Sequence, residues 1–284
     1  MNVKTVSYGD KNASRDFTQS LLETGFVVLT DHPISKQLIR DTYGEWEQFF
    51  ASDSKNDYVY EASLQAGYFP FRSENAKDSK IKDLKEFFHY YPSRSTLPQN
   101  AQKFTPQYYA AVTKLGSELL NWIEKQTPEH VRSRFPTPLS EMIEQSEETL
   151  LRILHYPPLT GGEESGAIRA AAHEDINLIT LLPAATAPGL EVRDNAGNWH
   201  SVSCDPGMIA INAGDMLKET SRGFYPSTTH RVVNPAGPAS RDPRYSMPLF
   251  LHPRRNAYLT ESRTAGLFLQ ERLREIGLLP KSNA

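Results

Sequence analysis

Leu150-Leu151-Arg152-Ile153-Leu154-His155-Tyr156, stopped by Pro157-Pro158, is the stretch that decides the fold. It is strand-length, mostly apolar and closed by turn formers, and six similar runs follow. They are Leu178 to Leu182, Leu190 to Arg193, Trp199 to Val202, Met208 to Asn212, Thr229 to Val233 and Tyr245 to Leu251. The breakers include Gly161-Gly162, Pro188-Gly189, Asp194-Asn195-Ala196-Gly197, Asp205-Pro206-Gly207 and Asn234-Pro235. Short β-type runs with turn residues roughly every 8 to 12 positions read as an all-β sandwich or barrel. Seven of them predict a double-sheet jelly roll, a double-stranded β-helix, over residues 146–256.

Before this core the texture is helical. Phe17 to Glu23 carries apolar residues at 17, 21 and 22 and stops at Gly25, after which Phe26-Val27-Val28-Leu29 suits a buried strand. Apolar spacings of three and four predict helices over Ile34 to Phe50 and Tyr108 to Lys125, and Pro128, Pro136 and Pro138 close that part. After the core, Glu261 to Ile276 reads as an amphipathic helix with Ala265, Leu269, Leu273 and Ile276 on one face and Gly277 as its stop. The expected fold class is therefore mixed α+β. A mainly helical part (1–145) precedes the jelly roll, and a C-terminal helix (257–284) packs outside it. No internal repeat or low-complexity linker divides the chain, so a single domain over 1–284 is expected.

Composition narrows the function. With 284 residues, of which 38% are apolar, the chain is long enough to bury a core without disulfides or a structural zinc cluster. The single Cys204 excludes both and fits a reducing compartment, so a cytoplasmic protein is expected. Lys and Arg number 31 against 34 Asp and Glu, with both signs scattered, which predicts no nucleic-acid partner. No stretch approaches the roughly 18 to 20 apolar residues of a membrane span, and Met1-Asn2-Val3-Lys4-Thr5 lacks the apolar core of a signal peptide. No membrane partner is expected. With no coiled-coil pattern or exposed apolar stripe, a monomer is expected.

Of the eight histidines, only His173 begins an H-x-[DE] pattern, His173-Glu174-Asp175. In a strand, residues i and i+2 share a face, so His173 and Asp175 would aim two ligand groups at one point while Glu174 faces away. A second imidazole would complete the 2-His-1-carboxylate facial triad of non-haem Fe(II) oxygenases. His230, 55 residues after Asp175 in the run Thr229 to Val233, is best placed to supply it. Taken alone, H-x-D also describes a buried histidine satisfied by a backbone carbonyl. Fourteen residues beyond His230 stands Arg244-Tyr245-Ser246, where Arg244 and Ser246 share a strand face. A guanidinium fork beside a hydroxyl inside a barrel suits bidentate capture of a carboxylate, although a lone arginine is more often a surface residue.

Taken together and in order, these motifs resemble the isopenicillin N synthase-like branch of the 2-oxoglutarate/Fe(II)-dependent dioxygenases. The matching stretches are 151–158, Arg169-Ala170-Ala171-Ala172-His173-Glu174-Asp175, Asn212-Ala213-Gly214-Asp215, 227–235 and Arg244-Tyr245-Ser246-Met247-Pro248. Gly25 to His32 and Asp83 to His89 are similar as well, so the resemblance spans nearly the whole chain as one oxygenase domain. It implies that His173, Asp175 and His230 hold Fe(II). It also implies that Arg244 and Ser246 grip the distal carboxylate of 2-oxoglutarate, and that Tyr156 donates a hydrogen bond to this co-substrate. Leu154 departs from relatives that carry asparagine there. The implied reaction uses O2 and converts the 2-oxo acid to succinate and CO2. It oxidises an unactivated C–H of a small-molecule substrate by hydroxylation, desaturation or cyclisation.

Arg169, His155 and Phe88 are the candidate substrate contacts, each set against a plainer role as a surface arginine or core aromatic. Glu174 is expected to be solvated or to support the ligands, Asp215 to belong to a turn, and Ser227-Thr228 to lead into the strand of His230. Two other readings share the fold: a 2-oxoglutarate-independent Fe(II) oxidase of the isopenicillin N synthase or ACC oxidase type, and a non-catalytic metal-binding jelly roll. Two histidines and a carboxylate also suit hydrolytic zinc, which needs no buried Arg-Ser pair.

Overall fold

A computed structural model describes residues 1–75 and 81–279. Two sheets face each other. The larger runs in the order Thr5–Ser7, Phe26–Thr30, Ile209–Ala213, Ile179–Pro183, Leu249–Leu251, Leu150–Tyr156, Glu86–Tyr90 and Gly67–Phe69, with Arg244–Ser246 also pairing with Leu150–Tyr156. The smaller runs Ala170–His173, His230–Val232, Leu190–Arg193 and Trp199–Ser201. Most pairings are antiparallel, as a jelly roll requires.

Strand alternation gives the larger sheet two apolar faces. Leu151, Ile153, Ile179, Leu181, Ile209, Ile211, Leu249 and Leu251 join the main core cluster with Phe17, Leu21, Trp46, Phe49, Leu115 and Leu119 from the helices. The opposite face supplies Leu154, Tyr156 and Phe87, which pack against Ala170 and Val232 of the smaller sheet. Phe26 and Ala210 meet Leu190 and Val192 in the same inter-sheet space. Apolar side chains from both sheets thus wall part of the interior of the jelly roll.

The helices follow from their sequence. Ala13–Thr24 ends where Gly25 takes φ 72°, its N–H donating to Leu21 O at 2.8 Å. Lys36–Ala51 begins at Ser35, whose hydroxyl accepts from Leu38 N. The buried carboxylate of Glu45 accepts the backbone N–H groups of Lys103, Phe104 and Thr105 at 3.1, 2.8 and 3.0 Å, so it caps the long helix Thr105–Gln126 from outside its own sequence.

Three boundaries differ from the sequence reading. The first part is not only helical, because Gly67–Phe69 and Glu86–Tyr90 extend the larger sheet beside Leu150–Tyr156. Glu86-Phe87-Phe88-His89-Tyr90 is rich in β-forming aromatics, and both of its faces are buried. The run Tyr245 to Leu251 is two strands, Arg244–Ser246 and Leu249–Leu251, interrupted at Pro248, which has no N–H for the ladder. The last helix starts at Ala265, since a two-stranded ribbon of Tyr258–Thr260 and Arg263–Thr264 occupies the preceding residues. Its buried face holds Ala265, Phe268 and Leu269, whereas Ile276 is exposed.

Candidate active site

His173 ends the Ala170–His173 strand, and His230 begins the neighbouring strand directly across from it. Asp175 lies beyond the strand end. Its approach to His173 comes from the loop rather than from the i, i+2 relation of one strand. The loop is held by close backbone contact: Asp215 N donates to Asp175 O at 2.7 Å. A Cβ on Gly214 would stand 2.3 Å from Asn177 O and 2.9 Å from Asp175 O, so only glycine permits this approach.

Each candidate ligand atom is freed by fixing the other end of its side chain. His173 Nδ1 faces Ala171 O at 2.8 Å and His230 Nδ1 faces Thr228 O at 3.1 Å, which directs both Nε2 atoms inward. Asp175 Oδ2 accepts from Thr180 Oγ1 at 2.5 Å and Asn212 Nδ2 at 2.8 Å. Its Oδ1 stands 3.8 Å from each Nε2. The three ligand atoms lie within 4.8 Å of one another, close enough to share one metal ion.

The charge states suit that use. Burial opposes ionisation of Asp175, but His230, His173 and the bonds from Asn212 and Thr180 outweigh it and hold its pKa below the usual carboxylate value. Burial, with His230 beside it, lowers His173 to about 4, so the imidazole is neutral at physiological pH. Two imidazoles and one carboxylate are the donor set of a non-haem Fe(II) site with an open far face. The His173 side chain is 39% exposed while those of His230 and Asp175 are 10% and 5% exposed, so the opening lies on the His173 side.

Deeper between the sheets, Arg244 and Ser246 sit opposite Tyr156 and Leu154 and share their face. Arg244 is 2% exposed; its Nε donates to Ala187 O at 2.9 Å, and its guanidinium lies 5.0 Å from the centre of the Tyr156 ring. Arg169 is also buried there, 5.9 Å from the same ring, and is not the surface arginine that composition would suggest.

His155 and Phe88 do not join them. His155 alternates with Tyr156 and so faces the helices, where it stacks on Tyr245 at 4.6 Å and bonds Glu86 Oε1 through Nδ1 at 2.7 Å. Phe88 packs on Trp46 and Phe49 on that same side. The expectation that these two line the substrate cavity is corrected by the two-residue period of their strands. Phe87 occupies the interior position instead. Asp215 is the first residue of the helix Asp215–Thr220 rather than part of a simple turn, and Glu174 is exposed and accepts from Thr229 Oγ1 at 3.0 Å.

Several residues of the site escaped the sequence reading. Thr180 and Asn212 are polar residues inside apolar runs, a signal that was there to be read. Lys85 bridges Asp83 and Glu74 at 2.8 Å each, and Asp83 Oδ1 accepts from Ala171 N, so this buried network props the strand that carries His173. No local pattern marks it.

Two imidazoles and a carboxylate converging between the sheets of a jelly roll form the donor set that non-haem Fe(II) oxygenases use. Residues 147–253 match the 2OG-Fe(II) oxygenase superfamily, and residues 6–110 match the N-terminal region described for a non-haem dioxygenase in morphine synthesis. A "2-oxoglutarate-Fe(II) type oxidoreductase" from Aspergillus fumigatus is 30% identical over 277 residues, covering 87% of this chain and 79% of that protein. A crystal structure from Shewanella oneidensis, of a protein proposed to be an oxygenase, is 48% identical with a TM-score of 0.88 over 98% of this chain and 100% of that one. A full-length Neurospora crassa protein crystallised in complex with alpha-KG shares the fold, with a TM-score of 0.79 at 21% identity over 95% of each chain. The chain belongs to the 2OG-Fe(II) oxygenase superfamily. It is a non-haem dioxygenase that uses Fe(II), 2-oxoglutarate and O2 on a small-molecule substrate. No helix among the described residues is long and apolar enough to cross a membrane.

Proposed function

We propose that His173, Asp175 and His230 hold the Fe(II), that Arg244 and Ser246 bind the distal carboxylate of 2-oxoglutarate, and that Tyr156 hydrogen-bonds the same molecule. One observation carries this reading. Two imidazole Nε2 atoms converge on Asp175 Oδ1 at 3.8 Å, while the remaining polar atoms of all three side chains are engaged by the protein. When bound, iron and 2-oxo acid supply an oxidant for an unactivated C–H, with succinate and CO2 as co-products.

The protein's own part is orientation and exclusion of water. Leu154, Phe87 and Val232 keep the interior apolar, so that a charge carried in by a ligand interacts strongly with Arg244. Leu154, paired with Ser246, offers no polar contact, which leaves Ser246 and Arg244 as the anchors on that wall. The small-molecule substrate approaches from the side on which His173 is exposed, and hydroxylation, desaturation or cyclisation are the outcomes open to it.

We further propose that the chain acts as one catalytic unit and as a monomer, in the cytoplasm, with neither nucleic acid nor membrane as partner. The continuous core cluster that joins the first helices, the larger sheet and the last helix supports the first of these, and the lone Cys204 supports the compartment. The test of the activity is succinate release with O2 uptake on adding 2-oxoglutarate to the iron-loaded protein, with and without candidate substrates. No succinate under any condition would overturn it.

A further inference from the structure

Arg169 and Arg244 are 1% and 2% exposed, and both guanidinium groups lie against the Tyr156 ring. Their hydrogen bonds are incomplete. Arg169 spends one terminal nitrogen on Asp242 O at 3.1 Å, and its Nε and Nη1 are buried without a partner. Arg244 uses Nε on Ala187 O, and its Nη1 is likewise buried without a partner. Among the described residues, no carboxylate forms an ion pair with either one.

Two buried cations beside one ring, with no counter-charge, are unfavourable in the unliganded protein. Burial and the charge of Arg244 both press the Arg169 pKa below its ordinary value. A site of this kind is completed by an anion. A carboxylate has two oxygens and about four acceptor positions, more than one arginine fork and a serine hydroxyl occupy. The unpartnered N–H groups of Arg169 match the remainder.

We propose that Arg169 is a second arginine of the co-substrate site, closing with Arg244 on the distal carboxylate of 2-oxoglutarate, rather than a contact for the primary substrate. This rests on the assignment of Arg244 and Ser246 to that carboxylate. The paired guanidinium groups make the site selective for 2-oxo diacids and leave the ligand-free protein carrying a charge conflict that the diacid relieves.

The experiment measures binding and stability without turnover. Wild type, Arg169→Met and Arg244→Met are loaded anaerobically with Fe(II) and titrated with 2-oxoglutarate and with 2-oxopentanoate, which has the same chain length and no distal carboxylate. Arg169→Met is expected to weaken 2-oxoglutarate about 10- to 100-fold, the range for a hydrogen bond to a charged group, while 2-oxopentanoate binds within about twofold of wild type. The ligand-free variant melts at or above the wild-type temperature, because an uncompensated buried charge has gone; a mere strut to Asp242 would show a fall. Arg169→Lys keeps the charge but loses the fork, and serves if the methionine variant does not fold; its 2-oxoglutarate affinity is expected between the two.

Unchanged 2-oxoglutarate affinity in Arg169→Met would overturn the inference, as would equal loss for both acids. If wild type itself fails to prefer the diacid, the assignment of Arg244 fails with it. If wild type prefers the diacid and only Arg244→Met abolishes that preference, the Arg169 inference alone falls.

Discussion

Thr180 Oγ1 donates a 2.5 Å hydrogen bond to Asp175 Oδ2, and so ties the carboxylate of the smaller sheet's loop to the floor of the larger sheet. With Asn212 on the same oxygen, this bond points Oδ1 at the two imidazoles. The proposed metal site is therefore built across the jelly roll, and its geometry depends on Thr180 and Asn212, which lie outside the candidate ligand set.

Thr180→Val keeps the shape and removes the donor. It is expected to weaken Fe(II) or Mn(II) binding about 10- to 100-fold, the usual cost of losing an outer partner of a ligand. Metal titration followed by calorimetry checks this. Wild-type affinity in the variant would show that Asn212 suffices.

Gly25 has φ 72°, and a Cβ there would stand 2.2 Å from Thr228 Oγ1. Thr228 O orients His230 through its Nδ1. Gly25→Ala is expected to cost on the order of 1–3 kcal/mol in stability and to loosen the metal. A thermal melt of the metal-free protein reads the first effect, and a metal titration reads the second. A variant with normal melting and normal affinity would mean that the loop accommodates the methyl.

His155 faces the helices, so its replacement separates packing from chemistry. His155→Phe removes the 2.7 Å bond to Glu86 and is expected to lower stability by about 1–3 kcal/mol. The KM for 2-oxoglutarate should stay unchanged. A denaturation curve beside steady-state kinetics decides it, and a large change in KM would place the imidazole in the cavity after all.

The pH dependence has a definite sign. Burial lowers His252 from 6.5 to about 4, so between these values the unfolded chain binds a proton that the folded chain refuses. Stability is fully present above pH 6.5 and is lost as the pH falls toward 4. The 8% exposed His252 alone accounts for ~3 kcal/mol of that loss. Urea midpoints of the metal-free protein at pH 7.5, 6 and 5, expected to fall in that order, check it. A flat profile would mean that the His252 imidazole is not held neutral by the fold.

The readable features were those with a local period or a local break. The jelly-roll strands showed because short apolar runs alternate with Gly, Pro and Asp-Asn turns. His173, Asp175 and His230 showed because their spacing matched a known order of motifs. What failed was sidedness. In Leu150–Tyr156 and Glu86–Tyr90 both faces are buried, so composition does not reveal which of His155 and Tyr156, or of Phe87 and Phe88, turns toward the metal. The pairing register decides it, and register is set by residues far away in sequence. The burial of Arg169 and the bond that ties Asp83 to Ala171 are long-range for the same reason.

Adding 2-oxoglutarate to anaerobic Fe(II)-loaded protein and recording the visible spectrum reads iron and co-substrate binding at one centre. The expected result is a metal-to-ligand charge-transfer band that saturates at one 2-oxoglutarate per iron and is absent in Asp175→Ala. Iron-replete wild-type protein with no band, or Asp175→Ala with an unchanged one, would mean that Asp175 and its two histidines do not hold an iron that binds 2-oxoglutarate.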